Sequence, residues 1–243
     1  MGIFSLQRLA AVASPGHAVT LVKFAEFSQP SVAPANVFWS NPGNTTSATF
    51  FTGTSISKAA SVPIEFSFVN NPAVSSVHNL DATLLIYSSG VTATPAASSS
   101  DQKGVFGSFT INSVSDFFVG LTHYAAGTKL LAGDFSSGEI AGIPPGSVGA
   151  ALAATVGGSV VHFSSDVAGA VKAHSFARDL VLNLDAITPV LDALPGKALK
   201  TFKANADGAF AQAVPEPATW AMMIVGLGGI GAAVRRRRTL AAG

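Results

Sequence analysis

Along most of the chain the apolar positions recur with a period of two. Val62, Ile64, Phe66 and Phe68 alternate with Pro63, Glu65, Ser67 and Val69. An extended strand sends successive side chains to opposite faces, so this spacing makes one face apolar and the other mostly polar. Leu180, Leu182, Leu184 and Ala186 alternate with Asp179, Val181, Asn183 and Asp185 in the same way. Further strands are predicted over 20–27, 47–53, 82–88, 105–111, 116–121, 129–135, 159–164 and 200–204. Clusters of Gly, Pro, Asn and Ser punctuate them, as in Asn70-Asn71-Pro72 and Ile143-Pro144-Pro145-Gly146. Asp207-Gly208 reads as a turn before a last short strand at 209–213. Residues 89–104 read as one long exposed loop, and 30–46 as a second irregular stretch anchored to the core by Phe38 and Trp39. The Ala-rich run 147–155 fits a helical turn or a strand equally well. Short strands at close spacing, with no long amphipathic helix among them, predict an all-β, antiparallel β-sandwich over 19–213.

The pattern breaks at the end of the chain. Residues 218–234 carry no charge, and their one polar side chain is Thr219. As a helix this run reaches roughly 25 Å, against a bilayer core about 30 Å thick, so it predicts a single short C-terminal transmembrane helix. Trp220 stands at one end, where an indole suits the headgroup region, and Arg235, Arg236, Arg237 and Arg238 stand at the other. Positive charge beside a membrane segment favours the cytoplasmic side, so the body is expected outside the inner membrane. Pro215 and Pro217 bracket Glu216. Each proline fixes its own φ and pushes the residue before it towards an extended shape, which predicts an extended, exposed strip just before the helix. Gly226, Gly228 and Gly231 spell G-x-G-x-x-G, but no acid follows them. A dinucleotide site needs that acid, and small residues in a membrane helix explain the glycines better.

The order Pro215-Glu216-Pro217-Ala218-Thr219-Trp220-Ala221, then MMIVGLGGIGAAV, then the four arginines, resembles the PEP-CTERM sorting signal in its PEPxxWA form. The resemblance covers 214–243, with the motif at 215–221, the transmembrane helix at 218–234 and the arginine cluster at 235–238. It implies an exported Gram-negative envelope protein that passes the Sec translocon, is held transiently in the inner membrane and is processed by an exosortase-type membrane enzyme. It also implies an association with exopolysaccharide or biofilm. The recognition residues carried over are Pro215, Glu216, Pro217, Trp220 and Ala221, with Arg235 to Arg238 as the stop-transfer element. The body is loosely similar, in VTLVKFAEFSQ and GGSVVHFSSD, to the Ser/Thr-rich β ectodomains that precede this signal.

Composition narrows the picture further. Charged residues make up 11% of the chain, where an ordinary globular chain has about 25%. Four of the 14 basic residues belong to the arginine cluster, so the body is slightly acidic and the net charge of +1 gives no reason to expect a nucleic-acid partner. The absence of cysteine removes disulfides, thiol nucleophiles and thiolate metal sites. Residues 1–18 read as a degenerate or mis-started signal region. Gly16-His17-Ala18 offers a cleavage site, but Arg8 interrupts the apolar stretch and no basic residue precedes it.

Motif chemistry is sparse. No two of His17, His78, His123, His162 and His174 lie three or four apart, so no helix or strand presents a ready metal pair. No G-x-S-x-G elbow is present, and a Ser-His-Asp triad is a matter of geometry that sequence hides. Asn205-Ala206-Asp207-Gly208 lacks the glutamate a calcium loop requires. Glu26, Glu65 and Glu139 fall in separate predicted segments, and Phe38, Trp39, Tyr87 and Tyr124 are candidates for sugar stacking or for core filling. No catalytic residue, metal ligand or cofactor is assigned. The reading is a non-enzymatic surface or matrix protein, with a secreted hydrolase of dispersed active site, or a carbohydrate-binding module, as rivals.

Overall fold

The computed structural model of the chain describes residues 20–30, 34–88, 91–92, 101–142, 148–154, 161–171, 178–194 and 196–214. The strands among them are β1 (Thr20–Ser28), β2 (Val37–Ser40), β3 (Ser47–Ser55), β4 (Lys58–Ala59), β5 (Val62–Phe68), β6 (Leu80–Tyr87), β7 (Val91–Thr92) and β8 (Asp101–Ser113). They continue as β9 (Phe117–Val119), β10 (Thr122–Tyr124), β11 (Lys129–Gly142), β12 (Ala150–Ala154), β13 (Val161–Ser164), β14 (Arg178–Thr188) and β15 (Phe202–Val214). A single 3₁₀ turn, Pro72–Val74, is the helical element of the described residues.

Every strand pairing is antiparallel, as expected, but the pairings form one closed circuit and not two facing sheets. The circuit runs β1, β5, β6, β8, β11, β12, β14, β15 and back to β1. β15 makes this possible by its length. One edge pairs with β14, while the other pairs with β1 over Gly208 to Val214 and with β2 over Phe202 to Ala204. The β2–β3 pair then carries the second end of β15 across to β6 through Phe51 and Tyr87. The gap between β15 and β6 is thus bridged by β1–β5 at one end and by β2–β3 at the other. The expected sandwich is corrected to a closed barrel, which leaves few unpaired strand edges.

The interior is filled by side chains. Phe210 is fully buried and lies 5.0 Å from Phe109, 5.7 Å from Phe163 and 6.0 Å from Phe27 between ring centroids. Phe24 continues this group, 5.4 Å from Phe163. Leu84, Ile86, Leu180 and Leu182 close around the rings and leave no room for a water molecule between them. An eight-stranded circuit is just wide enough for its side chains to fill it, and this one is filled. Near the β2–β3 end, buried Trp39 stacks on Phe202 and donates from Nε1 to the Leu199 carbonyl at 2.8 Å. That contact gives the anchoring expected of Trp39, while Phe38 is buried outside the main core, stacked on Phe51 at 5.8 Å.

Several predicted boundaries move. The turn expected at Asp207-Gly208 lies inside the continuous strand β15. Gly208 is there because Phe27 packs flat against the strand: a Cβ at 208 would meet Phe27 Cε1 at 2.0 Å. The glycine marks a close approach, not a bend. Within the run 147–155, Ala150–Ala154 forms the strand β12, and the strand expected at 116–121 is the two-stranded hairpin β9–β10. The loop expected over 89–104 already pairs at Val91–Thr92 with β3, and β8 begins at Asp101. No described helix is long and apolar enough to cross a membrane. The transmembrane helix expected at 218–234 and the signal region at 1–18 lie outside the described residues.

Candidate functional site

β15 stays paired to its last residue. Val214 faces Thr20, Ala213 faces Leu21, and Gln212 is held between Val22 on one side and Arg178 on the other. The strand therefore delivers the chain to Pro215 with no linker in between. Two neighbouring strands hold the residues that precede the expected sorting strip, and β1 starts opposite Val214. The motif residues Pro215, Glu216, Pro217, Trp220 and Ala221, and Arg235, Arg236, Arg237 and Arg238, lie outside the described residues. The strand reaches 214 because the alternation of Ala206, Gly208 and Phe210 keeps small or aromatic groups inward, a pattern hidden by the turn-like Asp207-Gly208 pair.

The outer face of the same strands holds a polar cleft of about 290 Å³. Glu26, Glu65 and Asp207 line it, with Lys23, Ser28 and Asn183. Strand register explains the gathering. Ser28 pairs with Glu65, Glu26 with Ser67, and Asp207 with Asn183, while Ser28 lies one residue beyond the Phe27–Gly208 pair. The sequence places Glu26 and Glu65 in separate segments; the antiparallel β1–β5 pairing makes them diagonal neighbours. Lys23 Nζ contacts Glu26 Oε2 at 2.6 Å. Asp207 Oδ1 accepts from the Gln29 N–H at 3.0 Å. Partial removal from water pushes the Asp207 carboxyl up, the Gln29 hydrogen bond opposes that, and nearby Asp185 adds to the rise. A cleft of this kind accepts hydrogen bonds from hydroxyl-rich ligands and repels polyanions. Glu139 is elsewhere, beside Lys103 at 3.8 Å. Among the described residues no group of three or more His, Asp or Glu side chains is placed to hold a metal ion.

Two histidines are paired with carboxylates. His162 Nδ1 lies 2.8 Å from Asp134 Oδ2, and His123 Nε2 lies 3.0 Å from Asp116 Oδ2. Ser108 stands cross-strand from Asp134, which stands cross-strand from His162. The carboxylate is therefore in the middle of the three, where a nucleophilic triad needs the imidazole. Both His–Asp pairs are exposed, and pairs of this kind contribute little to stability. The candidate stacking aromatics also separate. Phe38 and Trp39 are buried, Tyr87 is exposed, and Tyr124 stacks on Phe117 at 5.1 Å. They form no common row.

A family model described as the PEP-CTERM protein-sorting motif matches residues 213–238. Comparison with curated proteins and with solved structures returned no match. The matched segment begins on the last two residues of β15 and runs to the final arginine of the cluster, Arg238. The chain therefore carries a PEP-CTERM sorting signal directly on the end of its barrel, as an exported protein sorted through that C-terminal signal and recognised by exosortase-type processing enzymes.

Proposed function

We propose that this is a non-enzymatic protein of the cell surface or exopolysaccharide matrix, whose barrel is the cargo of its sorting tail. In this account the tail holds the barrel at the outer face of the inner membrane until an exosortase-type enzyme acts near Pro215-Glu216-Pro217. The barrel then passes to the envelope or the extracellular matrix. The observation that carries the reading is the junction: β15 is paired through Val214, the matched segment begins on its last two residues, and Pro215-Glu216-Pro217 follows at once. The packing of Phe27, Phe109, Phe210 and their aliphatic neighbours, which leaves no room for a water molecule among them, supports a barrel that works through its outer surface.

The cleft of Glu26, Glu65 and Asp207 favours one second reading, a carbohydrate-binding surface, because grouped carboxylates accept hydrogen bonds from sugar hydroxyls. The two readings agree on export and differ in what the barrel does afterwards. Replacement of Pro215, Glu216 and Pro217 by alanine in the native host tests the first. The barrel is expected to remain in the inner-membrane fraction in the variant and to leave it in the parent chain. Equal distribution of both would show that the tail does not sort the barrel.

A further inference from the structure

The sorting tail leaves the barrel from the same end that the β9–β10 hairpin covers. Strand register fixes this. Val214 faces Thr20, Arg178 faces Gln212, Ala25 faces Phe68, Phe66 faces Leu80, Ala82 faces Ser113, and Asn112 faces Lys129. The end of β15, the start of β1 and the β8–β11 connection are therefore at one rim of the barrel. The β14–β15 connection, beyond Thr188 and Lys203, is at the other.

The hairpin is tied to that rim by one face. Phe117 is buried and stacks on Tyr124, whose hydroxyl accepts from the Ala168 N–H at 3.1 Å. Ser76 Oγ donates to the Phe118 carbonyl at 3.2 Å, and Asp116 Oδ1 accepts from the Ala126 N–H at 2.8 Å. Gly120, at φ +60°, is the first of two loop residues between the paired Val119 and Thr122, the pattern of a type II′ turn. The turn leaves Leu121 fully exposed and Phe118 59% exposed, with Val114 beside the base at 54%. From Phe117 to Thr128 there is no Asp, Glu, Lys or Arg. This is an anchored loop with a bare apolar tip, where a solvated loop would carry charge.

We infer that this tip, Phe118 and Leu121, rests in the headgroup–acyl boundary of the bilayer into which the tail inserts. The inference builds on the sorting reading above. The uncharged run of the tail begins at Ala218, and an extended chain from Val214 to that point spans at most about 14 Å. That short tether holds the hairpin-capped rim at the lipid surface. An apolar tip whose ionisable neighbour, His123, is paired with Asp116 towards the base of the hairpin suits the roughly 5–10 Å depth at which interfacial segments bury their apolar side chains. The contact sets the barrel's orientation and presents the Pro215–Pro217 strip at the membrane surface. It would be lost when the tail is cut, so release and detachment are coupled.

The chain has no cysteine, so single labels can be placed without competition. Leu121→Cys, Val190→Cys and Thr219→Cys each carry one environment-sensitive fluorophore. Position 190 is exposed on the opposite connection and 219 lies in the tail. The full-length chain is reconstituted into phosphatidylethanolamine–phosphatidylglycerol vesicles with brominated acyl chains. The expected result is strong quenching and a blue shift at 121 and 219, with neither at 190. Quenching at 219 alone overturns the hairpin contact and leaves the sorting reading standing. Quenching at neither 121 nor 219 overturns both. Equal quenching at 121 and 190 overturns a contact specific to the hairpin rim.

Discussion

Gly208→Ala is a small change with a sign that depends on one neighbour. The new Cβ would lie 2.0 Å from Phe27 Cε1 and 2.7 Å from Cδ1 and Cζ. Carbon atoms rest about 3.5–4.0 Å apart, so the ring must retreat by roughly 1.5–2 Å. Phe27 is 3% exposed and already packs on Phe210, so it has little room to do so. Overpacking of this kind costs about 1–3 kcal/mol. Opposing it, Ala at a strand position with ordinary φ stabilises by about 0.4–1 kcal/mol, because the unfolded chain loses freedom. The clash outweighs that gain, so the substitution should destabilise by about 1–2 kcal/mol. In a Phe27→Ala background the ring is gone and only the gain from the stiffer unfolded chain remains. There Gly208→Ala should stabilise by about 0.4–1 kcal/mol, even though Phe27→Ala alone costs about 3–5 kcal/mol. Urea unfolding of the four full-length proteins in detergent, followed by far-ultraviolet circular dichroism, completes the cycle. A Gly208→Ala cost that is unchanged in the Phe27→Ala background would refute the reasoning that this glycine exists for Phe27.

Three further outcomes are expected. Asp179 is 4% exposed and its Oδ1 has no partner among the described residues. Burial pushes its carboxyl up to about 6, against a smaller lowering by the Leu180 N–H. The folded chain then binds the extra proton between about pH 4 and 6, so the contribution of Asp179 to stability is greatest below pH 4 and declines as the pH rises to 6, by up to about 3 kcal/mol. Asp179→Asn should flatten that decline in denaturant titrations at pH 4, 5, 6 and 7. Trp39→Phe removes the donor to the Leu199 carbonyl, which Asn41 Nδ2 still reaches at 3.0 Å. Because that acceptor stays paired, the loss measured by urea unfolding should be near the usual hydrogen-bond value of about 1 kcal/mol plus repacking. The Lys23–Glu26 pair is about two-fifths exposed at both side chains. A double-mutant cycle with Lys23→Ala and Glu26→Ala should give no more than about 1 kcal/mol of coupling.

The strands were legible because period-two alternation survives wherever one face is buried. Val62 to Phe68 and Leu180 to Leu184 show that pattern in both sequence and structure. The closure was not legible. It depends on β15 pairing with two different strands along one edge, and nothing in the residues of β1 or β2 announces which half each takes. Asp207-Gly208 misled for a related reason: the same dipeptide serves a turn or a close ring–backbone approach, and only Phe27 decides which. Glu26 and Glu65 could not be grouped from their positions, since β1–β5 register brings together residues that are remote along the chain. The hairpin tip was half legible. Phe117-Phe118-Val119 read as a strand, while the exposure of Phe118 and Leu121 required knowing that Phe117 and Tyr124 face the rim. The sorting signal was legible from its residues alone because its specificity lies in a short linear order and not in a fold.

The proposed function rests on the barrel being cargo cut from its own tail. Intact-mass measurement of the mature protein, purified from the outer and released fractions of native cells, reads that cut at its source. The expected species has a C-terminus shortened to the neighbourhood of Pro215-Glu216-Pro217, and it disappears when the three residues are replaced by alanine. A chain that still carries Arg235 to Arg238 in those fractions, unchanged by the replacement, would contradict the cargo reading.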